Sequence, residues 1–182
     1  MRVIAGSKRR LPLVTPKGTV TRPTSDQIKE TLFNIIAPDL YDVNFLDLFA
    51  GSGQIGIEAL SRGAAKATFV EQDKAALTCI ETNLKKCDLN DVATVYSTDV
   101  LGVLSRMRGQ KFDMVFMDPP YGKDLEKSVL KMLLDLELLS EDAMVIVEES
   151  MDADFEYVSE MGYVIEREKC YKTNKHVFLS VG

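Results

Sequence analysis

The sequence predicts an α/β fold built on a doubly wound, mostly parallel sheet. From residue 44 onward, five short apolar runs alternate with helical stretches, which is the pattern of parallel strands joined by crossover helices. Near the end of the chain, the stretches 163–171 and 175–181 are separated by only three residues, so these two strands must be antiparallel. We therefore expect a sheet that ends in a hairpin at its far edge.

The elements follow from the periodicity of the apolar residues. The five runs are 45–49, 67–70, 93–96, 112–117 and 143–147, and the helical stretches between them are roughly 54–62, 74–87, 99–107 and 124–136.

The first 37 residues differ from the sheet region. Apolar runs at 3–5 and 11–14 flank a basic stretch, which predicts a β-hairpin. Thr24 or Ser25 can cap the helix that follows, and this helix should end before Pro38.

The chain length suits one domain, residues 1–182, with a basic N-terminal segment (1–37) on a catalytic core (38–182). No apolar run approaches the roughly 18 residues of a membrane helix, and the N-terminus lacks a signal-peptide pattern, so we expect a cytoplasmic protein. Monomer is the default expectation for its oligomeric state. Three cysteines without CxxC spacing are expected to be packing residues.

The charge is unevenly distributed. The whole chain carries a net charge of −6, but residues 1–37 carry +5 and the remainder −11. Such asymmetry favours a polyanionic partner, because Lys and Arg that neutralise phosphates release counterions. A solvated basic surface is the alternative.

A glycine-rich loop follows the first strand of the sheet. Asp47 precedes the loop, Gly51 and Gly53 lie within it, and Glu71 ends the next strand, where a carboxylate can accept hydrogen bonds from both hydroxyls of a ribose. Asp47 would repel a pyrophosphate but would suit an ammonium group, which favours S-adenosylmethionine over a dinucleotide. A turn without a ligand is the remaining alternative.

Two further residues follow the third strand. Asp99 can accept a hydrogen bond from an adenine amino group while Val100 packs on the ring. Asp99 would equally well cap the following helix.

The motif Asp118-Pro119-Pro120-Tyr121 ends the fourth strand. The prolines remove two N–H donors and leave carbonyl acceptors, so Asp118 and the Pro119 carbonyl can hold an exocyclic amino group while Tyr121 stacks on the base. The alternative is a proline-rich turn that merely ends the strand, which explains the prolines but not the Asp118 and Tyr121 that flank them. His176 is expected to pack or face solvent, and neither a metal cluster nor a covalent nucleophile is indicated.

The motifs DLFAGSGQIGIEALSRGA, FVEQD and DPPY resemble those of bacterial methyltransferases that modify the guanine N2 amino group in small-subunit (16S) ribosomal RNA. The segments around Arg2–Gly6 and Arg22–Asp26 extend this resemblance over nearly the whole chain. It implies a Rossmann-like, class I methyltransferase fold with a seven-stranded sheet, S-adenosylmethionine as donor, and ribosomal RNA, in an assembled or assembling small subunit, as partner.

The resemblance also implies roles for individual residues. The residues expected to contact the donor are Asp47, Gly51, Gly53, Glu71, Asp99 and Val100. The residues expected to hold the guanine are Asp118, Pro119, Pro120 and Tyr121. The residues expected to bind RNA are Arg9, Arg10, Arg22 and Thr24. Two alternatives stay open at this point. One is an adenine-N6 methyltransferase, and the other is a non-catalytic RNA-binding module for ribosome assembly.

Overall fold

The computed structural model of the protein describes residues 1–17 and 25–182. Arg22 and Thr24 lie outside these described residues. The strands are β1 Asn44–Leu48, β2 Lys66–Glu71, β3 Ala93–Ser97, β4 Phe112–Met117, β5 Leu139–Ser150, β6 Tyr163–Cys170 and β7 Asn174–Val181. The helices are α1 Asp26–Ile36, α2 Gln54–Ser61, α3 Lys74–Lys86, α4 Val100–Leu104, α5 Leu125–Asp135 and α6 Val158–Met161.

One seven-stranded sheet has the order β3-β2-β1-β4-β5-β7-β6. The first five strands pair in parallel, and β7 pairs antiparallel with both β5 and β6. The predicted parallel sheet and its terminal hairpin are therefore confirmed. Because the chain reverses direction between β5 and β7, the turn between β6 and β7 lies at the same edge of the sheet as the carboxyl ends of the parallel strands.

Strand β5 begins four residues earlier than the apolar run at 143–147 indicates. Leu139 pairs with Phe112, and the register with β4 then shifts before Met114 pairs with Met144. The polar residues 140–142 in this irregular part of the strand hide its start from an analysis based on apolar runs.

Both faces of the sheet are covered by helices, which completes two apolar layers. Helices α1, α2 and α3 pack on one face, which we call the first layer. Helices α4, α5 and α6 pack on the other face, which we call the second layer. Neighbouring strand residues alternate between the layers, with Phe45 in the first and Leu46 in the second. None of the helices in the described ranges is long and apolar enough to cross a membrane.

Helix α1 forms as predicted. The Ser25 side chain caps it by accepting from the amide of Ile28 at 3.2 Å. The helix ends at Ile36, and Pro38 lies in the short 3₁₀ turn that follows. Leu32 and Phe33 bury its inner face in the first layer.

The predicted N-terminal hairpin is present in a short form. Arg2 and Pro12 form an antiparallel bridge, and the backbone amides of Val3, Arg10 and Leu13 donate to the carbonyls of Leu11, Val3 and Met1. The amides of Ile4 and Ala5 donate instead to the Glu58 carboxylate of α2, at 2.8 and 2.9 Å. The ladder between the two arms is therefore short, and the turn is also held to α2.

Glu58 is the centre of a buried ionic cluster beneath this segment. The side chains of Glu58 and Lys29 are fully buried, with 3.6 Å between Lys29 Nζ and a Glu58 oxygen. Arg62 Nε lies 2.8 Å from the other oxygen. Burial lowers the pKa of Lys29, while the nearby Glu58 carboxylate opposes this change. The cluster attaches the N-terminal segment to α1 and α2.

Candidate active site

The predicted site residues of the core meet at one edge of the sheet. The carboxyl ends of β1, β2, β3 and β4 lead directly into the glycine loop, Glu71, Asp99 and the Asp118 motif. In open α/β sheets this edge is where ligands bind.

The glycine loop presents an open surface at Gly51. Gly51 and Gly53 both have positive φ, at 56° and 78°, a conformation that glycine adopts without strain. A Cβ added at Gly51 would meet nothing within 4 Å, whereas one at Gly56 would lie 2.3 Å from the Phe69 ring. Gly51 therefore leaves room for a ligand beside the loop, and Gly56 allows α2 to pack closely on the sheet.

Asp47 lies behind this loop and is almost completely buried, with 1% of its surface exposed. Its carboxylate accepts a hydrogen bond from the Gly56 amide at 2.9 Å and so holds the start of α2. Burial raises the pKa of Asp47 to about 7, with a smaller contribution from Glu71. The contact between Asp47 and a donor ammonium group stays a prediction.

Glu71 connects the glycine loop to the end of β2. One oxygen accepts from the Gly51 amide at 2.8 Å, and the other accepts from the amides of Gln72 and Asp73 at 2.8 and 2.9 Å. Carboxylate oxygens offer about four lone-pair sites in total, so the side chain can accept one further hydrogen bond, as from a ribose hydroxyl.

Asp99 caps α4, as the alternative interpretation of this residue anticipated. Its carboxylate accepts from the Gly102 amide at 2.7 Å, and the residue is exposed. Val100 is 6% exposed and belongs to the second apolar layer. The adenine contacts of both residues stay predictions.

The Asp118 motif combines a shielded carboxyl with an accessible ring. Asp118 is half-buried, and Tyr121 is 46% exposed, so its ring is available for stacking. Burial raises the pKa of Asp118 to about 8, and the neighbouring carboxylates of Glu148, Asp47 and Glu149 add to the effect. Pro119 is buried and Pro120 exposed. At neutral pH the Asp118 carboxyl is thus poised to exchange a proton.

A buried polar network that the sequence analysis missed lies beside this motif. His176 is fully buried; its ring packs edge-on against Phe116, as the packing interpretation expected, but it also lies 2.9 Å from Glu148. Glu148 accepts a further hydrogen bond from Asn174, and Tyr171 bonds to the second ring nitrogen of His176. These residues meet through the register of β5 and β7, and the two acids that end β5 were the only sequence signal.

The basic residues of the N-terminal turn lie elsewhere. Arg9 and Arg10 are exposed, and the preceding Ser7 and Lys8 bond to Ser61 at the C-terminal end of α2. The glycine loop is at the other end of this helix, about 12 Å away at 1.5 Å per residue. The structure therefore separates Arg9 and Arg10 from the glycine loop.

Known proteins share this architecture. Ribosomal RNA small subunit methyltransferase D of Haemophilus influenzae is 40% identical over 157 residues, covering 84% of this chain and 80% of the relative. The protein of the same name in Escherichia coli is 37% identical over 152 residues, covering 84% and 76%. The solved structure of Escherichia coli yhhF superposes with a TM-score of 0.87 at 32% identity, covering 100% of this chain and 97% of that one.

These similarities confirm the resemblance drawn from the motifs and the class I methyltransferase fold. A model of the family described as conserved hypothetical protein 95 matches residues 1–179. Since the match spans almost the entire chain, the protein belongs to this family.

Proposed function

We propose that the protein transfers a methyl group from S-adenosylmethionine to the exocyclic N2 amino group of a guanine in small-subunit (16S) ribosomal RNA. The observation that carries this proposal is the position of the Asp118 motif next to the glycine loop, with a shielded carboxyl and an accessible Tyr121 ring. The names of the relatives support methylation of small-subunit ribosomal RNA. The choice of guanine N2 rests on the family resemblance.

The residues at the sheet edge fit the donor. Gly51 leaves open space beside the loop, and Glu71 can accept one further hydrogen bond, from a ribose hydroxyl. Asp99 and Val100 at the start of α4 would face the adenine. When bound, S-adenosylmethionine supplies an electrophilic methyl carbon on a positively charged sulfur.

Asp118 and the Pro119 carbonyl provide two acceptors for the two N–H groups of the amine, and Tyr121 provides a stacking surface for the base. Such placement turns the nitrogen lone pair toward the methyl carbon. Positioning of this kind can lower a barrier by on the order of 7–11 kcal/mol in the best intramolecular cases.

Asp118 also receives the proton that the reaction releases. As the nitrogen–carbon bond forms and the carbon–sulfur bond breaks, the sulfur keeps the bonding pair and the nitrogen becomes positively charged. Asp118 already accepts one N–H of this nitrogen and takes its proton, which leaves a neutral methylamino group. Because the pKa of Asp118 is about 8, the ionised form that accepts the proton becomes more abundant as the pH rises through this value.

RNA contacts come from the basic N-terminal segment. Arg9 and Arg10 are exposed about one helix length from the donor loop, so they would contact phosphates away from the target base. Arg22 and Thr24 would contribute from outside the described residues.

Mass spectrometry of 16S ribosomal RNA from cells that lack the protein tests the proposal. We expect one N2-methylguanosine to be absent, and to be restored by the wild-type protein but not by Asp118→Ala. Loss of an N6-methyladenosine would instead support the adenine enzyme. Restoration by Asp118→Ala would support a non-catalytic assembly role.

A further inference from the structure

One of the buried carboxylates lies where β5 and β7 pair, beside the Asp118 motif. Glu148 is 5% exposed and lies directly opposite His176 in the strand register. Asn174 is 8% exposed and donates to one Glu148 oxygen at 2.6 Å. His176 lies 2.9 Å from the other oxygen. Both oxygens are thus held by fixed partners.

The direction of these hydrogen bonds follows from their chemistry. Because a carboxylate can only accept, Nε2 of His176 carries the proton shared with Glu148. The other ring nitrogen, Nδ1, lies 3.1 Å from the Tyr171 hydroxyl. Burial and the nearby Glu148 raise the pKa of Tyr171 to about 12, so this hydroxyl keeps its proton. Asn174 and His176 thus both donate to Glu148.

The β5–β7 pairing does not depend on this network. Backbone pairing extends over seven residue pairs from Met144 to Ser150. Burying a carboxylate costs free energy unless its oxygens are well bonded, and an apolar pair would often be as stable or more stable here. The negative charge at this position therefore calls for a role besides holding the strands together.

Glu148 follows Val147, which pairs with Met117 in the neighbouring strand, and Asp118 follows Met117. Neighbouring strands lie about 4.8 Å apart, which brings the two carboxyl groups to the same edge of the sheet. Glu148 points into the first layer, like Ile146 two residues before it. Phe116 lies in the same layer two residues before Asp118, and its ring contacts His176.

We propose that Glu148, held by His176 and Asn174, is a positioning residue whose negative charge enables Asp118 to take the proton released by the amine. The inference rests on the proposed methyl transfer. Glu148 itself touches neither base nor donor, and acts through Asp118.

The other groups around Asp118 are consistent with this role. The charged or titratable neighbours that face it are Asp47 from β1, Glu148 and Glu149 from β5, and Tyr121 from its own loop. His176 and Tyr171 face it through Glu148. Within the described part of the chain, Asp118 takes part in no ion pair. Its proton affinity is therefore set by burial and by acids, without a cation to oppose them.

Glu149 provides a matched control, since it is also an acid near the end of β5. By strand alternation its side chain points to the opposite face of the sheet. Burial raises the pKa of Glu149, and the carboxylates of Glu126 and Asp124, near the start of α5, add to the effect. Replacing Glu148 by Gln thus removes a charge on one face of the sheet, and replacing Glu149 by Gln removes a charge on the opposite face.

An NMR titration of the Asp118 side-chain carboxyl carbon in the intact, donor-free protein tests the inference without requiring activity. Asp118→Asn assigns the signal. We expect Glu148→Gln to lower the titration midpoint by about one pH unit, as loss of a close like charge should, and Glu149→Gln to lower it less. An unchanged midpoint in Glu148→Gln, or an equal shift in both variants, would overturn the inference.

A second readout uses methyl transfer itself. In wild type, kcat/KM should rise as Asp118 loses its proton, and Glu148→Gln should move this rise to lower pH while reducing the plateau, because the base is weaker. Glu149→Gln, on the other face of the sheet, should move this rise by a smaller amount. A rate lowered equally at every pH in Glu148→Gln would indicate a structural role and overturn the inference. Absence of guanine methylation by the wild type would refute the proposed function, while the NMR result would still stand alone.

Discussion

Glu58 and Glu148 are both buried carboxylates, but they are satisfied in different ways. Glu58 lies on α2, and its charge is neutralised by Lys29 and Arg62. It also accepts hydrogen bonds from two backbone amides of the N-terminal segment. Glu148 lies beside the Asp118 motif, and its hydrogen-bond partners are the side-chain amide of Asn174 and the ring of His176.

The difference indicates what each buried charge does. Two cations cancel the field of Glu58, so its contribution is local attachment of a segment. Partners without a permanent charge leave the field of Glu148 available to nearby groups, and Asp118 is one of them. One cluster anchors the N-terminal segment, and the other adjusts the chemistry of the site.

The largest expected effect comes from Asp118→Asn. This change keeps the size of the side chain but removes the base, so methyl transfer should fall by roughly 10²–10⁴-fold. Isothermal titration should show that donor binding persists. Activity near the wild-type level would mean that the proton leaves by another route.

The next largest effect concerns the anchoring cluster. Glu58→Leu leaves Lys29 buried without its partner and should cost about 3–5 kcal/mol of unfolding free energy. The double variant Lys29→Met/Glu58→Leu should recover a large part of this loss, because Lys29, the fully buried cation, is removed together with its partner. Urea denaturation measures both values. A single variant as stable as the wild type would contradict the anchoring role.

Asp47 makes the free energy of unfolding depend on pH. Its pKa in the folded protein, about 7, lies above the ordinary value of 3.8, so the folded state binds the proton more tightly. The resulting stabilisation is complete below pH 4 and is lost progressively as the pH rises from 4 to 7, with a total of about 4 kcal/mol. Asp47→Asn cannot titrate. The wild type should therefore lose stability relative to Asp47→Asn between pH 4 and 7 in urea unfolding, and parallel curves would contradict this.

The smallest expected effect is that of Gly51→Ala. A left-handed conformation costs an L-residue about 1 kcal/mol, and the new methyl group would project into the open space assigned to the donor. Donor affinity should fall as well as stability. Gly109→Ala is the control, because Gly109 also has positive φ with open space around it but lies away from the site. Equal donor affinity in the two variants would argue against a donor site at Gly51.

The parts predictable from the sequence are those that depend on local patterns. Alternating apolar runs and helical stretches predicted the strands, and Pro38 predicted the end of α1. The Asp118 motif could be placed because a strand end leads directly into it.

The remaining features depend on long-range geometry. His176 and Glu148 are 28 residues apart and meet only through the antiparallel register. Likewise, the amides of Ile4 and Ala5 bond to Glu58, 54 residues from Ile4, so the ladder of the expected hairpin is short. In neither case did a local pattern identify the partner.

The proposed reaction is methylation of a guanine amino group at the Asp118 motif. Its most direct test is a single-turnover reaction of the purified protein with small ribosomal subunits that lack the modification and with their free RNA. The donor carries a deuterated methyl group, and nucleosides are analysed by mass spectrometry. We expect labelled N2-methylguanosine with the wild-type protein and almost none with Asp118→Asn. Label in N6-methyladenosine, or equal labelling by both proteins, would contradict it.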